Sequence, residues 1–354
     1  MMVGTSVKPH RAASPAGRTE DDRPALVKAV LQQLMTAEQC TDATMVLTRS
    51  AKLTSRSNSA TQAQTFAKLS AALLQSRWLE ALAVSQAVLR NGSQSLTSTL
   101  HPQIAELRRS IEQQLLVNST IDLVNETHRI HLLPRRSVLV GRPGGELPVD
   151  VAIDCRLVSR GERNLSLSCS GANWHIEDLG STNGNFLDGS RLMPGAPITL
   201  PVGQTQIQIG RGQRSAAPII LEVRRPAKDP GAVVLSLRRT GAPLGMADAW
   251  PTAEQDLARR WIVFRTQVGV AVGEDCALRI DGSGEGITAA IRYQNGFWVV
   301  PSAGSKVIVN TVEFDAPAPI PLGAELRLGN SRFRVETSVP ATTEHVATET
   351  EGAL

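Results

Sequence analysis

From Thr120 onward the hydrophobic period of this chain switches from that of a helix to an alternation of two, which constrains the fold more than any other feature. Strand-like runs recur at Ile130–Leu133, Val138–Val140, Val149–Ile153, Asn164–Cys169, Trp174–Glu177, Ile198–Leu200, Gln206–Ile209 and Ile219–Val223. They are short, with Gly, Asn and Asp turns between them. Such a pattern predicts an all-β sandwich.

Upstream the spacing is helical. Asp22 is a candidate cap, Pro24 sits near a first turn, and Leu26, Val27, Val30, Leu31 and Leu34 share a face. After a Ser-rich break at Thr54–Thr61, helical spacing resumes with Phe66, Leu69, Leu73 and Leu74. A further run ends at Asn91-Gly92, a good C-terminal cap, and Pro102 opens another that carries Ile104, Leu107, Ile111 and Leu115. The segment Ala71–Leu89 loosely resembles one tetratricopeptide repeat. Because solenoids need about three units to stack, a four- or five-helix bundle is expected instead.

Composition narrows the function. An apolar content of 42 % is enough for ordinary cores, whereas 3 % aromatics is too little for a base-stacking nucleic-acid surface. The formal charge of +4 is spread along the chain rather than clustered, which also argues against nucleic acid. Cys40, Cys155, Cys169 and Cys276 show no metal-ligand spacing, and two of them fall in the strand-rich region as core or surface thiols. The six histidines form no motif with a nucleophile, and no phosphate-cradling P-loop is present. Neither a membrane-length apolar run nor a signal-peptide core is visible. The expectation is a non-catalytic, cytoplasmic protein with no cofactor, no metal and no membrane partner.

Three loops carry the functional signal. They hold Gly141-Arg142, then Val158-Ser159-Arg160, then Gly180-Ser181-Thr182-Asn183-Gly184. Arginine forks, hydroxyls and a turn asparagine together can hold an anion and the peptide bearing it. With the run Trp174–Gly189 and the closing segment Leu200–Gly210, this stretch resembles the forkhead-associated (FHA) domain, a β-sandwich that binds phosphothreonine peptides. The resemblance covers roughly 120–225.

It implies that Arg142, Ser159 and Arg160 bind phosphate while Thr182 and Asn183 contact the peptide, with Gly141, Glu162 and Gly184 supporting the loops. A phosphothreonine brings about −1.5 to −2 charges and three acceptor oxygens. Glu162 departs from the pattern, which has a histidine three residues after the serine. A carboxylate about 4 Å from the phosphate would cost about 4 kcal/mol per charge pair at an effective dielectric of 20, so Glu162 has to point away.

A second copy follows downstream. Val270–Glu274 repeats Val138–Arg142, Trp298–Val300 repeats Trp174–Ile176, Ile320–Gly323 repeats Leu200–Gly203, and Leu328-Gly329 repeats Ile209-Gly210, with the offset shrinking throughout. In this alignment Glu274 stands for Arg142. The Ser-Arg loop becomes Gly284–Thr288, and Ser-Thr-Asn-Gly becomes Ser302–Lys306. The copy keeps the strands and loses the anion-binding chemistry.

The expected architecture is α+β and multidomain: a disordered tail at 1–21, an all-α domain at 22–118, an FHA domain at 119–226, a degenerate FHA-like domain at 227–338 and a second tail at 339–354. The expected role is a signalling or scaffold protein. Its partners would be a phosphothreonine-containing substrate of a Ser/Thr kinase and a further protein docked on the helices. The alternative is an assembly subunit whose sandwiches are phosphorylation-independent interfaces.

Overall fold

Alternating burial sets the β architecture: strand after strand places every second side chain in a core. The computed structural model describes residues 56–91, 100–153, 158–159, 163–209, 219–239, 258–273, 276–281 and 286–338. The chain divides into two compact units, Met1–Gln114 and Leu115–Leu354. The helical expectation at Asp22–Leu34, both tails and Cys40 and Cys155 lie outside the described residues.

The first unit contains α1 (Arg56–Leu74), α2 (Trp78–Asn91) and α3 (Leu100–Leu115). Leu69, Leu73, Leu82, Ile104, Leu107 and Ile111 are buried, as their spacing requires. A tight turn joins α1 to α2, with Ser76 at positive φ and Arg77 N–H donating to Ala72 O. None of the described helices is long and apolar enough to cross a membrane.

The second unit opens with the hairpin β1 (Ile121–Val124) and β2 (His128–Pro134). Nine strands follow: β3 (Ser137–Gly141), β4 (Val151–Ala152), β5 (Leu165–Ser170), β6 (Asn173–Asp178), β7 (Asn185–Leu187), β8 (Ser190–Arg191), β9 (Ile198–Thr199), β10 (Gly203–Ile209) and β11 (Ile219–Arg225). Next come a second hairpin, β12 (Ala232–Arg239) and β13 (Ala258–Phe264), and nine more strands. These are β14 (Gln267–Val272), β15 (Leu278–Arg279), β16 (Gly286–Tyr293), β17 (Phe297–Pro301), β18 (Val307–Val309), β19 (Val312–Phe314), β20 (Ala318–Pro319), β21 (Glu325–Leu328) and β22 (Ser331–Thr337).

The two sets repeat one plan. The sheet β4-β3-β5-β6-β9 has its counterpart in β15-β14-β16-β17-β20, each with one parallel pair in the same place. The remaining strands form one twelve-stranded sheet, β19-β18-β21-β22-β1-β2-β13-β12-β11-β10-β7-β8.

That order is an exchange. The hairpin β1–β2 precedes the first set but pairs with β22 of the second, Leu123 opposite Val335. The hairpin β12–β13 precedes the second set but pairs with β11 of the first, Leu235 opposite Val223. Between them β2 and β13 run parallel. The core of the first sandwich accordingly combines Val138, Val140, Leu165, Trp174, Ile176, Ile207 and Leu221 with Val233, Leu235, Trp261 and Val263 from the downstream hairpin.

Strand pairing also corrects two sequence matches. Gly141 lies opposite Ala152 and accepts from Ile153 N–H, while Ala271 lies opposite Arg279 and accepts from Ile280 N–H. Val272 therefore stands for Arg142, and the match of Glu274 is two residues out. Likewise Leu200 N–H donates to Trp174 O and Ile320 N–H to Phe297 O, so buried Phe297 takes the place of Trp174. Trp298 points the other way and donates its Nε1–H to Gln294 O.

Candidate functional site

The β3 strand ends at Gly141, whose buried backbone leaves Arg142 half-buried at the head of the next loop. Arg142 N–H donates to Ser159 O at 3.0 Å, which brings two of the three predicted loops together. The third is joined through a side chain: Thr182 N–H donates to Ser159 Oγ at 3.0 Å. Because that oxygen accepts from the backbone, its own O–H remains able to donate outward. Thr182 and Asn183 stand exposed on the loop between β6 and β7.

That loop is held from beneath by a residue the sequence reading passed over. Asp178, at the end of β6, is 1 % exposed. Its carboxylate accepts from Gly180 N–H at 2.8 Å, Ser181 N–H at 2.7 Å, Ser181 Oγ–H at 2.7 Å, Asn185 N–H at 3.2 Å and Asn185 Nδ2–H at 3.1 Å. An ionised carboxylate is an acceptor only, so a ring of donors suits it. Asn185 also donates to Asn164 O at 3.1 Å, and Asn164 Nδ2–H donates to Val140 O at 3.0 Å. Both amides are buried. A polar ladder thus runs from β3 through Asn164 and Asn185 to Asp178 and fixes the loop that carries Thr182 and Asn183. The one sequence signal for it is an Asp two and three residues before Gly-Ser, the spacing of an Asx turn.

Gly184 has φ 74°, and a Cβ there would lie 3.1 Å from Arg191 Nε. The left-handed backbone favours glycine, while the exposed guanidinium could shift by a few tenths of an ångström. Arg191 is exposed at the end of β8 and was also missed by the sequence reading. The turn from β7 to β8, Asp188-Gly189, has positive φ at both residues, as a two-residue hairpin prefers.

Of the predicted residues, Gly141, Arg142, Ser159, Thr182, Asn183 and Gly184 converge at this end of the first sandwich. Arg160 and Glu162 lie outside the described residues. In the second sandwich the loop Ser302–Lys306 closes on itself, Ser305 N–H donating to Ser302 O, and Lys306 pairs with Glu313. No cluster of His, Cys, Asp and Glu able to hold a metal occurs among the described residues.

Residues 138–210 match the family model of the FHA domain. Two curated relatives, the FHA domain-containing protein FhaB of Mycobacterium tuberculosis strains CDC 1551 / Oshkosh and ATCC 25618 / H37Rv, are 41 % identical over 49 residues, 14 % of this chain. The chain spans 30 % of the length of these relatives. Among solved structures, the FHA domain of an Arabidopsis thaliana hypothetical protein aligns at 21 % identity over 36 % of this chain and 92 % of that one, with a TM-score of 0.21. Mycobacterium tuberculosis EmbR, in complex with a low-affinity phosphopeptide, aligns at 18 % identity over 55 % of this chain and 56 % of that one, with a TM-score of 0.19. The N-terminal FHA domain from EssC, a component of the bacterial type VII secretion apparatus, aligns at 13 % identity over 65 % of this chain and 98 % of that one, with a TM-score of 0.16.

Proposed function

With an FHA domain at residues 138–210 as the premise, we propose that this protein is a non-catalytic reader of phosphothreonine peptides. Arg142, Ser159 and Arg160 take the phosphate, and Thr182 and Asn183 take the peptide main chain. The observation that carries the reading is the Ser159–Thr182 hydrogen bond, which unites two loops on the Asp178 hub while leaving a hydroxyl proton to donate. Hydrogen bonds to charged groups are worth about 1.5–3 kcal/mol each, so two or three make capture strongly phosphate-dependent. The ligand is a kinase-phosphorylated protein, and the helical unit, with its α1–α2 pair, docks a second partner. The protein works as a cytoplasmic signalling scaffold.

Fluorescence anisotropy with matched phosphothreonine and unphosphorylated peptide pools tests this. Binding only of the phosphorylated pool, lost in Arg142→Ala, supports it; equal binding of both pools contradicts it. The second reading, a phosphorylation-independent assembly subunit, is favoured by the degenerate loops of the second sandwich. It predicts that a co-purifying partner survives phosphatase treatment.

A further inference from the structure

The large sheet of the reader sandwich is finished by a hairpin that lies downstream of it in the chain. Val233, Leu235, Trp261 and Val263 enter the same core as Trp174 and Ile176, which lead into Asp178, and as Val138 and Val140, which lead into Arg142. The ladder also runs from the hairpin to the site: β12 pairs with β11, β11 with β10, and β10 with β7, where Ile209 faces Asn185. The upstream hairpin β1–β2 touches this arrangement from the side, where His131 stacks on Trp261 with ring centroids 5.3 Å apart.

The strand ladder alone does not choose between the two hairpins. Leu123 meets Val335 as Leu235 meets Val223, so either hairpin could in principle lie on either terminal strand. The connection from Arg225 to Ala232 does choose. It is a short turn in which Asp229 N–H donates to Pro226 O, Ala232 N–H donates to Asp229 O, and the Asp229 carboxylate accepts from Gly269 N–H at 2.7 Å. If β1–β2 lay beside β11 instead, the chain leaving Arg225 would have to clear both of its strands before β12 began. With β2 and β13 still paired, β12 beside β22 would lie about four interstrand steps away, past β1, β2 and β13, or about 19 Å. Residues 226–231 span about 20 Å when fully extended, so they could clear the hairpin only by surrendering every hydrogen bond of this turn. Short connections of this kind favour exchange.

We infer that the β12–β13 hairpin is a working part of the ligand-binding sandwich, held there by the Pro226–Gly231 turn. Val233, Leu235, Trp261 and Val263 are positioning residues for the site at Arg142, Ser159 and Thr182. The second sandwich is the exchange partner that receives β1–β2 in return. A reader cut from this chain at residue 226 would lack two strands of its sheet. The ligand side of this inference rests on the phosphothreonine reading; the exchange itself does not.

The test uses the full chain with paired cysteine substitutions. Glu222 faces Ser236 across β11 and β12. The position on β1 equivalent to Ser236 is Val124, which faces Arg334 of β22. Glu222→Cys with Ser236→Cys is oxidised under mild conditions, beside Glu222→Cys with Val124→Cys, and links are mapped by non-reducing peptide mass spectrometry. The expected result is an intramolecular 222–236 link, no 222–124 link, and phosphopeptide affinity unchanged by oxidation. A 222–124 link, or a folded chain with no 222–236 link, overturns the inference. A 222–236 link in a chain that ignores phosphate would count against the phosphothreonine reading and leave the exchange standing. As a second variant, Trp261→Ala is expected to weaken phosphopeptide binding more than Ile130→Ala, its counterpart in the other hairpin. Equal effects would contradict the assignment of Trp261 to the reader.

Discussion

The two sandwiches differ in three side chains beneath one loop. Where the first has Asp178 opposite Leu165, the second has Pro301 opposite Ala289. Asn185 opens β7, whereas the buried Val307 opens β18. Asn164 donates to Val140 O, and Thr288 Oγ1–H donates to Val270 O in its place. The polar ladder keeps its first rung and loses the other two. Apolar alternation is thus enough to hold the fold, and a buried polar ladder is what holds the Gly180–Gly184 loop in shape. Arg142 against Val272 completes the contrast at the end of the first strand after each hairpin.

The comparison can be broken most forcefully at its shared core. Trp261→Ala is expected to cost about 3–5 kcal/mol of unfolding free energy in chemical denaturation, as large-to-small core changes do. It should also disable a site that lies more than seventy positions earlier, at Arg142, Ser159 and Thr182. A loss confined to the second sandwich would separate the two cores. Next in size, Asp178→Pro makes the first sandwich resemble the second. It leaves the buried Asn185 N–H without its acceptor, at a cost of about 1–3 kcal/mol, and phosphopeptide binding should vanish while the β-sheet signal in circular dichroism survives. Retained binding would show that the hub is dispensable. Ser159→Ala removes both the acceptor for Thr182 N–H and the outward donor. A titration should show affinity falling by about 10- to 150-fold, the equivalent of a charged hydrogen bond.

The smallest expected effect concerns pH. Burial pushes the Asp122 carboxyl up, but hydrogen bonding and charge from His131, with hydrogen bonds from Arg129 and Ser338, outweigh it and hold the group below the usual carboxylate range. A lowered folded pKa stabilises above the unfolded value near 3.9 and is lost as acid titrates the folded group. Stability measured on the acid side should therefore fall less steeply in Asp122→Asn than in the wild type. Asp122 tethers β1 to β2 and β22 through Arg129, which also pairs with Glu336 at 3.0 Å. An unchanged acid slope would mean that this tether does not couple to folding.

Much of this was legible in the sequence, for physical reasons. The period of two marked the strands, and Asn183-Gly184 marked a turn that needs positive φ. Arg142, Ser159 and Thr182 stood out because loops carry chemistry in a fixed order. Asp178 did not, since one carboxylate at a strand end looks like any surface acid until its donors are in place. Phe297 and Val272 were misplaced because Trp298 and Gly273-Glu274 imitate the motif, while register is fixed by partners on other strands. The exchange was invisible because Leu123 and Leu235 suit either terminal strand, and the deciding quantity was the reach of the turn between Arg225 and Ala232.

The most direct test follows backbone amide NMR signals of the full chain during titration with a phosphothreonine peptide. Shifts should concentrate at Arg142, Ser159 and Thr182–Gly184, spare Ser302–Lys306, and be absent with the unphosphorylated peptide. Shifts at Ser302–Lys306, or the same response to both peptides, would contradict the assignment of the first sandwich as the phosphothreonine reader.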